Sequence, residues 1–390
     1  MRLLIVNSNW GGGGPGSIAS DLYNVAKSEG HSCLFVYGRG SIPQNIESVK
    51  LGSDIDIYCH ALGARLFDRA GFFSDGPTKK LIDVLSWYKP DIINIHNPLG
   101  YSFNVERIVK IIKNSKIKTF WTMHDCWLFT GHCITNLCEK VRIGCGNCPQ
   151  KNAFPKSWFI DNSVRNYKRK KAMMKEIPNL SFITPSKWIA DMAKMSFLSE
   201  YTFYTIPNGI DLSKWYPRIS TLKKQHQLEG KILLLSVANV WEETKGACYV
   251  NELATILSDD YRLVVIGKIS SNVLTDYKII HIEQTKNQAI LAEWYSLADI
   301  FINPTVGDNF PTVNLEALAC GTPVITFDTG GSPESIGLCG DVVPARDISV
   351  LKKTIEKCLK QRITVSQCIE QAKKFDKTVR FKEYLDLFQS

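Results

Sequence analysis

Two carboxylates in the pattern Asp308-x7-Glu316 fall in a stretch that reads strand, polar loop, helix, glycine turn and strand over residues 300–326. The loop sets Asp308 ahead of the helix. Glu316 comes just over one turn into it, and the unpaired first N–H groups of the helix lie between the two acids. A ligand with a diol at each end and a diphosphate in the middle fits that spacing. A second anion-binding pattern opens the chain, where an apolar run at residues 3–6 leads into Asn7-Ser8-Asn9-Trp10-Gly11-Gly12-Gly13-Gly14-Pro15-Gly16 and then a helical pattern. Glycines let backbone amides close on a ligand, so Gly13 and Gly14 are candidate phosphate contacts. Gly11, Gly13 and Gly16 also satisfy G-x-G-x-x-G, but the second strand ends Val36-Tyr37-Gly38-Arg39, without the acid that a dinucleotide site uses for its ribose. A dinucleotide site and a purely structural turn stay open beside the phosphate reading.

A third cluster is Cys126-x6-Cys133-x4-Cys138-x6-Cys145-x2-Cys148, with His132 inside it and Gly131, Gly144, Gly146 and Pro149 as turn formers. Thiolates at Cys133, Cys138, Cys145 and Cys148 could hold a tetrahedral structural zinc, although the spacing is not that of a standard finger. Packed free thiols are the alternative.

Elements must position these groups, and the pattern for them is consistent. Short β-branched runs alternate with longer helical patterns throughout, which predicts βαβ units and parallel sheets. Strands are expected at residues 3–6, 33–36, 92–95, 119–122, 181–184 and 204–206, with helices at 17–27, 78–88 and 105–112. After a polar stretch the alternation restarts, with strands at 232–237, 263–266, 279–282, 300–303 and 323–326. The expected domains are 1–205, with a cysteine-rich insertion at 126–150, and 206–375. An amphipathic helix at 376–390 is expected to pack back toward the first domain.

Several motifs together resemble glycosyltransferase family 4. Residues 303–325 look like its E-x7-E region, with Asp308 in place of the first Glu. Ile206-Pro207-Asn208-Gly209-Ile210-Asp211 resembles its linker signature, and Met123-His124-Asp125 its active-site His-Asp pair. Residues 238–246 resemble the segment that gives an Arg and a Lys to the donor diphosphate; Lys245 matches, while Asn239 stands near the usual Arg. The run His-Asp-Cys-Trp-x-Phe-Thr-Gly-His-Cys is similar to that of bacterial polysaccharide, O-antigen and colanic-acid-type glycosyltransferases.

The resemblance implies an α/β GT-B fold, two Rossmann-like doubly wound domains facing each other across a cleft. It implies a retaining hexosyltransferase that takes a UDP- or GDP-sugar to a lipid-linked glycan acceptor, with the leaving diphosphate assisting the incoming hydroxyl. Catalytic roles then fall to His124, Asp308 and Lys245. Donor contacts fall to Gly13, Gly14, Asn239, Lys245, Asp308, Asn309, Phe310, Pro311, Thr312 and Glu316. No cofactor is required for catalysis, and no Asp-x-Asp element calls for a metal. A GT-B nucleotide-sugar epimerase is the nearest alternative.

Bulk properties set the outer limits. The chain has 390 residues, 44% of them hydrophobic, with a formal net charge of +9 and 12 cysteines. That length points to two or three domains. The opening apolar run is too short for a signal peptide, which leads us to expect a cytoplasmic protein with reduced thiols. Arg165, Lys168, Arg169, Lys170, Lys171 and Lys175 form a basic run near Trp158, Phe159 and Tyr167. This reads either as a solvated helix face or as a peripheral contact with the anionic inner face of the cell membrane. A non-enzymatic nucleic-acid-binding protein would also suit the charge, but no recognised module supports it, and nucleic acid is not expected as a partner.

Overall fold

The computed structural model describes residues 1–11, 14–135, 138, 140–269, 274–285, 287–361 and 363–390. They divide into two compact units, Met1–Pro207 with Arg380–Ser390, and Asn208–Val379.

The first unit runs β1 (Arg2–Val6), α1 (Gly14–Ser28), β2 (Ser32–Tyr37), β3 (Ser48–Lys50), α2 (Asp54–Phe67), α3 (Asp75–Tyr88), β4 (Ile92–Ile95), α4 (Val105–Ser115), β5 (Lys118–Thr122), α5 (Ser163–Met173), β6 (Leu180–Thr184), α6 (Lys187–Lys194) and β7 (Phe203–Thr205). The strands form one sheet in the order β3-β2-β1-β4-β5-β6-β7, and each pairing is parallel. Helices cover both faces, so Leu3, Leu4, Ile5 and Val6 are all fully buried; a central parallel strand therefore reads as an unbroken apolar run. Val6 pairs with Val36 on one side and Ile95 on the other, which levels the ends of β1 and β4.

The second unit runs α7 (Leu222–Gln225), β8 (Ile232–Trp241), α8 (Ala247–Ile256), β9 (Tyr261–Ile269), β10 (Ile279–Ile282), α9 (Gln288–Leu297), β11 (Ile300–Asn303), α10 (Thr312–Ala319), β12 (Val324–Phe327), β13 (Gly340–Val343), α11 (Ile348–Gln361) and α12 (Val365–Lys373). Its parallel sheet has the order β10-β9-β8-β11-β12-β13. In both sheets the winding reverses beside the first strand, between β1 and β4 and between β8 and β11. Such a switch point leaves a crevice beyond the carboxyl ends of the strands, where doubly wound folds bind ligands.

A last helix, α13 (Lys377–Gln389), carries the chain back into the first unit. It buries Phe381, Tyr384, Leu385 and Phe388, and the ring of Phe388 packs 5.0 Å from that of Phe120 on β5.

Candidate active site

At the switch point of the second unit, β8 leads into a turn that ends in Lys245, and β11 leads into the loop that holds Asp308. Lys245 Nζ meets Asp308 Oδ2 at 2.6 Å. Glycine makes this approach possible. Gly246 has φ 81° and a Cβ there would lie 2.1 Å from the carbonyl oxygen of Pro304, so the two loops touch through backbone. Val306 N–H donates to Thr244 O at 2.9 Å across the same contact. Gly330, with φ 58°, closes equally tightly on the carbonyl of Asp308, which also accepts Gly331 N–H at 3.1 Å.

Asp308 Oδ1 accepts Phe310 N–H at 3.2 Å, which holds the carboxylate at the entry to α10. Pro311 precedes the helix and Thr312 begins it, with Asn309 partly exposed in the loop. The side chain of Phe310 is 4% exposed and packs against Phe375, so its backbone is the part on offer to a ligand. Asn239 is exposed, on a bulge in β8 between Val237 and Val240 that takes it out of the ladder.

Glu316 accepts the Tyr295 hydroxyl at 3.0 Å and lies within reach of the Thr312 hydroxyl one turn earlier. Burial pushes its carboxyl up to about 7, and the two hydroxyls only partly offset this. Under α10 lies a polar knot that the sequence did not reveal. The fully buried Asn314 accepts from Asn303 Nδ2 at 2.8 Å and donates to Ser332 at 3.1 Å and Ser335 at 2.9 Å. Thr326 Oγ1 joins it, 2.6 Å from Ser332 Oγ. These bonds fix the loop after β12 against α10 and hold Gly330 over Asp308.

The first unit has its own strand-end site. Ser8 N–H donates to Asn97 O at 3.0 Å and Asn97 N–H to Asn7 Oδ1 at 2.9 Å, which ties β1 to β4. Gly14 starts α1 with open space around its Cα; Gly13 lies outside the described residues. His124, His96 and Asn97 line one cavity of this unit; His124 Nε2 stands 3.0 Å from His96 Nδ1, with the rings stacked at 5.2 Å. Asn94 fixes the protons: its Nδ2 donates to Phe120 O and Thr122 Oγ1, each at 3.1 Å, so its Oδ1 accepts from His96 Nε2 at 2.6 Å. His96 Nδ1 must then accept from His124 Nε2–H, which leaves His124 Nδ1 as an acceptor.

Burial holds His124 down to about 4, and burial together with the neighbouring His124 holds His96 well below the usual imidazole range, so both are neutral near pH 7. Asp125 is pushed up to about 6 by burial, while Trp127 N–H at 2.9 Å and the charge of Lys170 pull it back. His96 escaped the sequence reading, although its place directly after a predicted strand was the available signal.

The basic run needs a correction. Lys170 is fully buried, its Nζ 2.5 Å from Trp127 O and 3.0 Å from Thr130 O, because α5 packs that face on the turn after Asp125. Arg169 is half-buried, paired with Glu106 and stacked on Phe72. Arg165, Lys168, Lys171 and Lys175 remain exposed. Among the described residues no helix is long and apolar enough to cross a membrane, and no group of three His, Cys, Asp or Glu side chains stands ready to hold a metal.

Residues 231–361 match the family described as Glycosyl transferases group 1. The chain carries a glycosyl transferases group 1 domain. That domain contains the Lys245–Asp308 pair, Glu316 and the Asn314 knot, and it belongs to the transferase class of enzymes. A protein of Escherichia coli strain K12 assigned as colanic acid biosynthesis glycosyl transferase WcaC is 27% identical over 357 residues, 87% of this chain and 86% of its own. The N,N'-diacetylbacillosaminyl-diphospho-undecaprenol alpha-1,3-N-acetylgalactosaminyltransferase of Campylobacter jejuni is 25% identical, over 46% of this chain and 52% of its own. Among solved structures, sucrose-phosphate synthase from Thermosynechococcus elongatus superposes with a TM-score of 0.72 at 15% identity, covering 100% of this chain and 98% of its own. Anabaena HepE in complex with UDP-glucose superposes with a TM-score of 0.66 at 13% identity, covering 100% and 99%. The fold around the group 1 domain is GT-B.

Proposed function

We propose that the chain is a retaining glycosyltransferase that moves a hexosyl unit from a UDP- or GDP-sugar to a lipid-linked saccharide in cell-surface polysaccharide assembly. The observation that carries this reading is the Lys245–Asp308 contact at the β8/β11 switch point, with Glu316 one turn along α10. In this reading Lys245 and the first N–H groups of α10 hold the donor diphosphate and stabilise its charge as it leaves. Asp308 takes hydroxyls of the transferred sugar, and Glu316 those of the ribose. Asn239, Asn309, Pro311 and Thr312 line the donor, with Phe310 acting through its backbone.

The strand-end face of the first unit, from Gly14 to the His96–His124 pair, serves the acceptor and the transferring group. His124 acts there as a neutral hydrogen-bonding side chain. Departure of the diphosphate on the face that the acceptor hydroxyl attacks requires no enzyme nucleophile. The name of the E. coli relative supports polysaccharide assembly, and that of the C. jejuni relative supports a diphospho-polyprenol acceptor. A water-soluble enzyme acting on such a lipid would dock peripherally, and Arg165, Lys168, Lys171 and Lys175 supply a cationic surface for it.

The test is nucleotide release from a panel of UDP- and GDP-sugars, with and without a polyprenyl-diphosphate-linked sugar. Release from one donor that the acceptor stimulates and Glu316→Ala abolishes is expected. No turnover of any donor, or turnover untouched by Glu316→Ala, would overturn the assignment. Conversion of the donor sugar with no need for acceptor would identify an epimerase instead.

A further inference from the structure

Two arginines of the first unit rest on consecutive residues of one loop, and neither is paired with a carboxylate among the described residues. The loop follows β4, and its start, Asn97 to Leu99, lines the cavity that His124 lines. Arg39, exposed at the end of β2, donates its backbone N–H to Ser8 O at 3.0 Å, and its Cδ lies 3.7 Å from where a Cβ on Gly100 would stand. Arg65, on α2, places its guanidinium 5.4 Å from the centre of the Tyr101 ring, with Nη1 donating to Ala61 O at 3.1 Å. The charges of both reach Tyr101. This platform is rigid. A Cβ on Gly100 would meet Ser8 Cβ at 2.4 Å, so the loop packs on the end of β1. Tyr101 has a left-handed backbone, φ 60°, rare for a residue with a Cβ, and its buried ring lies 5.8 Å from those of His60 and of Phe154.

An exposed apolar surface begins at Arg65. Ile55, Tyr58 and Leu62 precede it on α2 at helical spacing, which sets all four on one side of the helix, and the three apolar side chains face solvent. Trp158 N–H donates to Arg65 O at 2.8 Å, and Trp158 and Phe159 are exposed beside it. Contiguous apolar side chains on a surface mark a contact with something else. A free phosphate would answer the arginines and leave this face uncovered, and a neutral apolar partner would do the reverse. An amphiphile with an anionic head and an apolar tail matches both, and guanidinium groups suit phosphate oxygens in particular.

We propose that Arg39 and Arg65 bind the diphosphate of the lipid-linked acceptor, and that its polyprenyl chain leaves over Ile55, Tyr58, Leu62 and Trp158. The identity of the acceptor rests on the transferase reading given above. A diphosphate anchored here sets the attached saccharide beside a loop whose other end lines the His124 cavity. The arginines thus select acceptors that carry the anionic group.

The probe is farnesyl diphosphate, a short polyprenyl diphosphate, titrated calorimetrically into the full-length chain. Arg39→Met and Arg65→Met should each weaken it by roughly tenfold to hundredfold, the worth of a hydrogen bond to a charged group. Lys245→Met, at the donor pair of the second unit, should leave it unchanged. Leu62→Ser should weaken farnesyl diphosphate several-fold and leave inorganic pyrophosphate unaffected. Unaltered UDP or GDP binding shows that the arginine variants fold; should Arg65→Met fail to, the exposed Arg39 decides alone. The assignment is overturned by absence of binding, by a loss in Lys245→Met in place of the arginine variants, or by farnesol or pyrophosphate binding as tightly as farnesyl diphosphate. Two further results would give the surface to another occupant and overturn it equally. Equal weakening of binding to anionic phospholipid vesicles would assign it to the bulk membrane, and a dimer that Leu62→Ser dissociates would assign it to a second copy of the chain. None of these readouts needs sugar transfer, so a chain that turns over a donor but binds no polyprenyl diphosphate keeps the transferase reading and loses this one.

Discussion

Lys245 Nζ and Asp308 Oδ2 lie 2.6 Å apart, so the cation and the carboxylate assigned to the donor satisfy each other before a donor arrives. Both side chains are partly exposed, at 37% and 20%, which keeps the pair weak enough for a ligand to divide. A diphosphate takes the ammonium and releases the carboxylate to the sugar. Lys245→Met is expected to lower kcat by roughly 10²–10³-fold, the usual cost of losing a donor to a developing charge. Asp308→Asn, which frees the ammonium, is expected to bind UDP or GDP several-fold more tightly while transferring sugar at least about tenfold more slowly. Calorimetric binding and steady-state rates separate the two effects. Equal weakening of nucleotide binding in both variants would contradict the exchange of partners.

The carboxyl of Glu316 gives donor binding a pH dependence. Burial raises its pKa to about 7, so it is largely protonated at pH 6 and largely ionised at pH 8. Ribose hydroxyls donate to the ionised form and favour it; nucleotide binding therefore releases a proton and tightens as pH rises. Between pH 6 and 8 the gain is about tenfold. Titration calorimetry on the unaltered chain and on Glu316→Gln checks this, and a slope that survives in the Gln variant would assign the effect elsewhere.

The Asn314 knot should be costly to cut. Asn314→Leu leaves buried Asn303, Ser332 and Ser335 short of partners, and a loss of about 2–4 kcal/mol is expected. Denaturant unfolding with an unchanged m-value measures it. A change under about 0.5 kcal/mol would mean that the knot rearranges around the gap.

Contact with an anionic membrane divides the basic run. Reversing Lys168, Lys171 and Lys175 to Glu should remove at least about 1 kcal/mol of binding per residue to vesicles of anionic phospholipid. Co-sedimentation at low and high salt reads the loss. Binding unaffected by the triple reversal would place the membrane contact on another surface.

The central strands were legible because parallel strands covered on both sides must be apolar throughout, and residues 92–95 and 300–303 matched β4 and β11 to the residue; residues 279–282 matched β10, an edge strand, through its run of isoleucines. Helix α2 was not legible. Ile55, Tyr58 and Leu62 all face solvent, 74%, 76% and 51% exposed, so the apolar residues do not mark the side that packs. β3 and β13 are short edge strands with little apolar content. For the candidate site, residues beside strand ends can be proposed from position, as Asp308 and His124 were. The burial of Asn314 and Lys170 could not be, because a polar residue within a helical pattern, or one lysine among the basic run 165–175, reads as surface until the neighbouring elements that cover it are known.

The return of α13 to the first unit has a consequence for synthesis. Arg380–Ser390 follows the whole of Asn208–Val379 in the chain, so a ribosome completes the second unit before it delivers the helix that covers Phe120. Until then the first sheet carries an uncovered aromatic surface, and the nascent first unit depends on that delay being survivable. The chain order thus makes the last helix a late-arriving clasp, and a translational stall within the second unit would leave the first one open to aggregation.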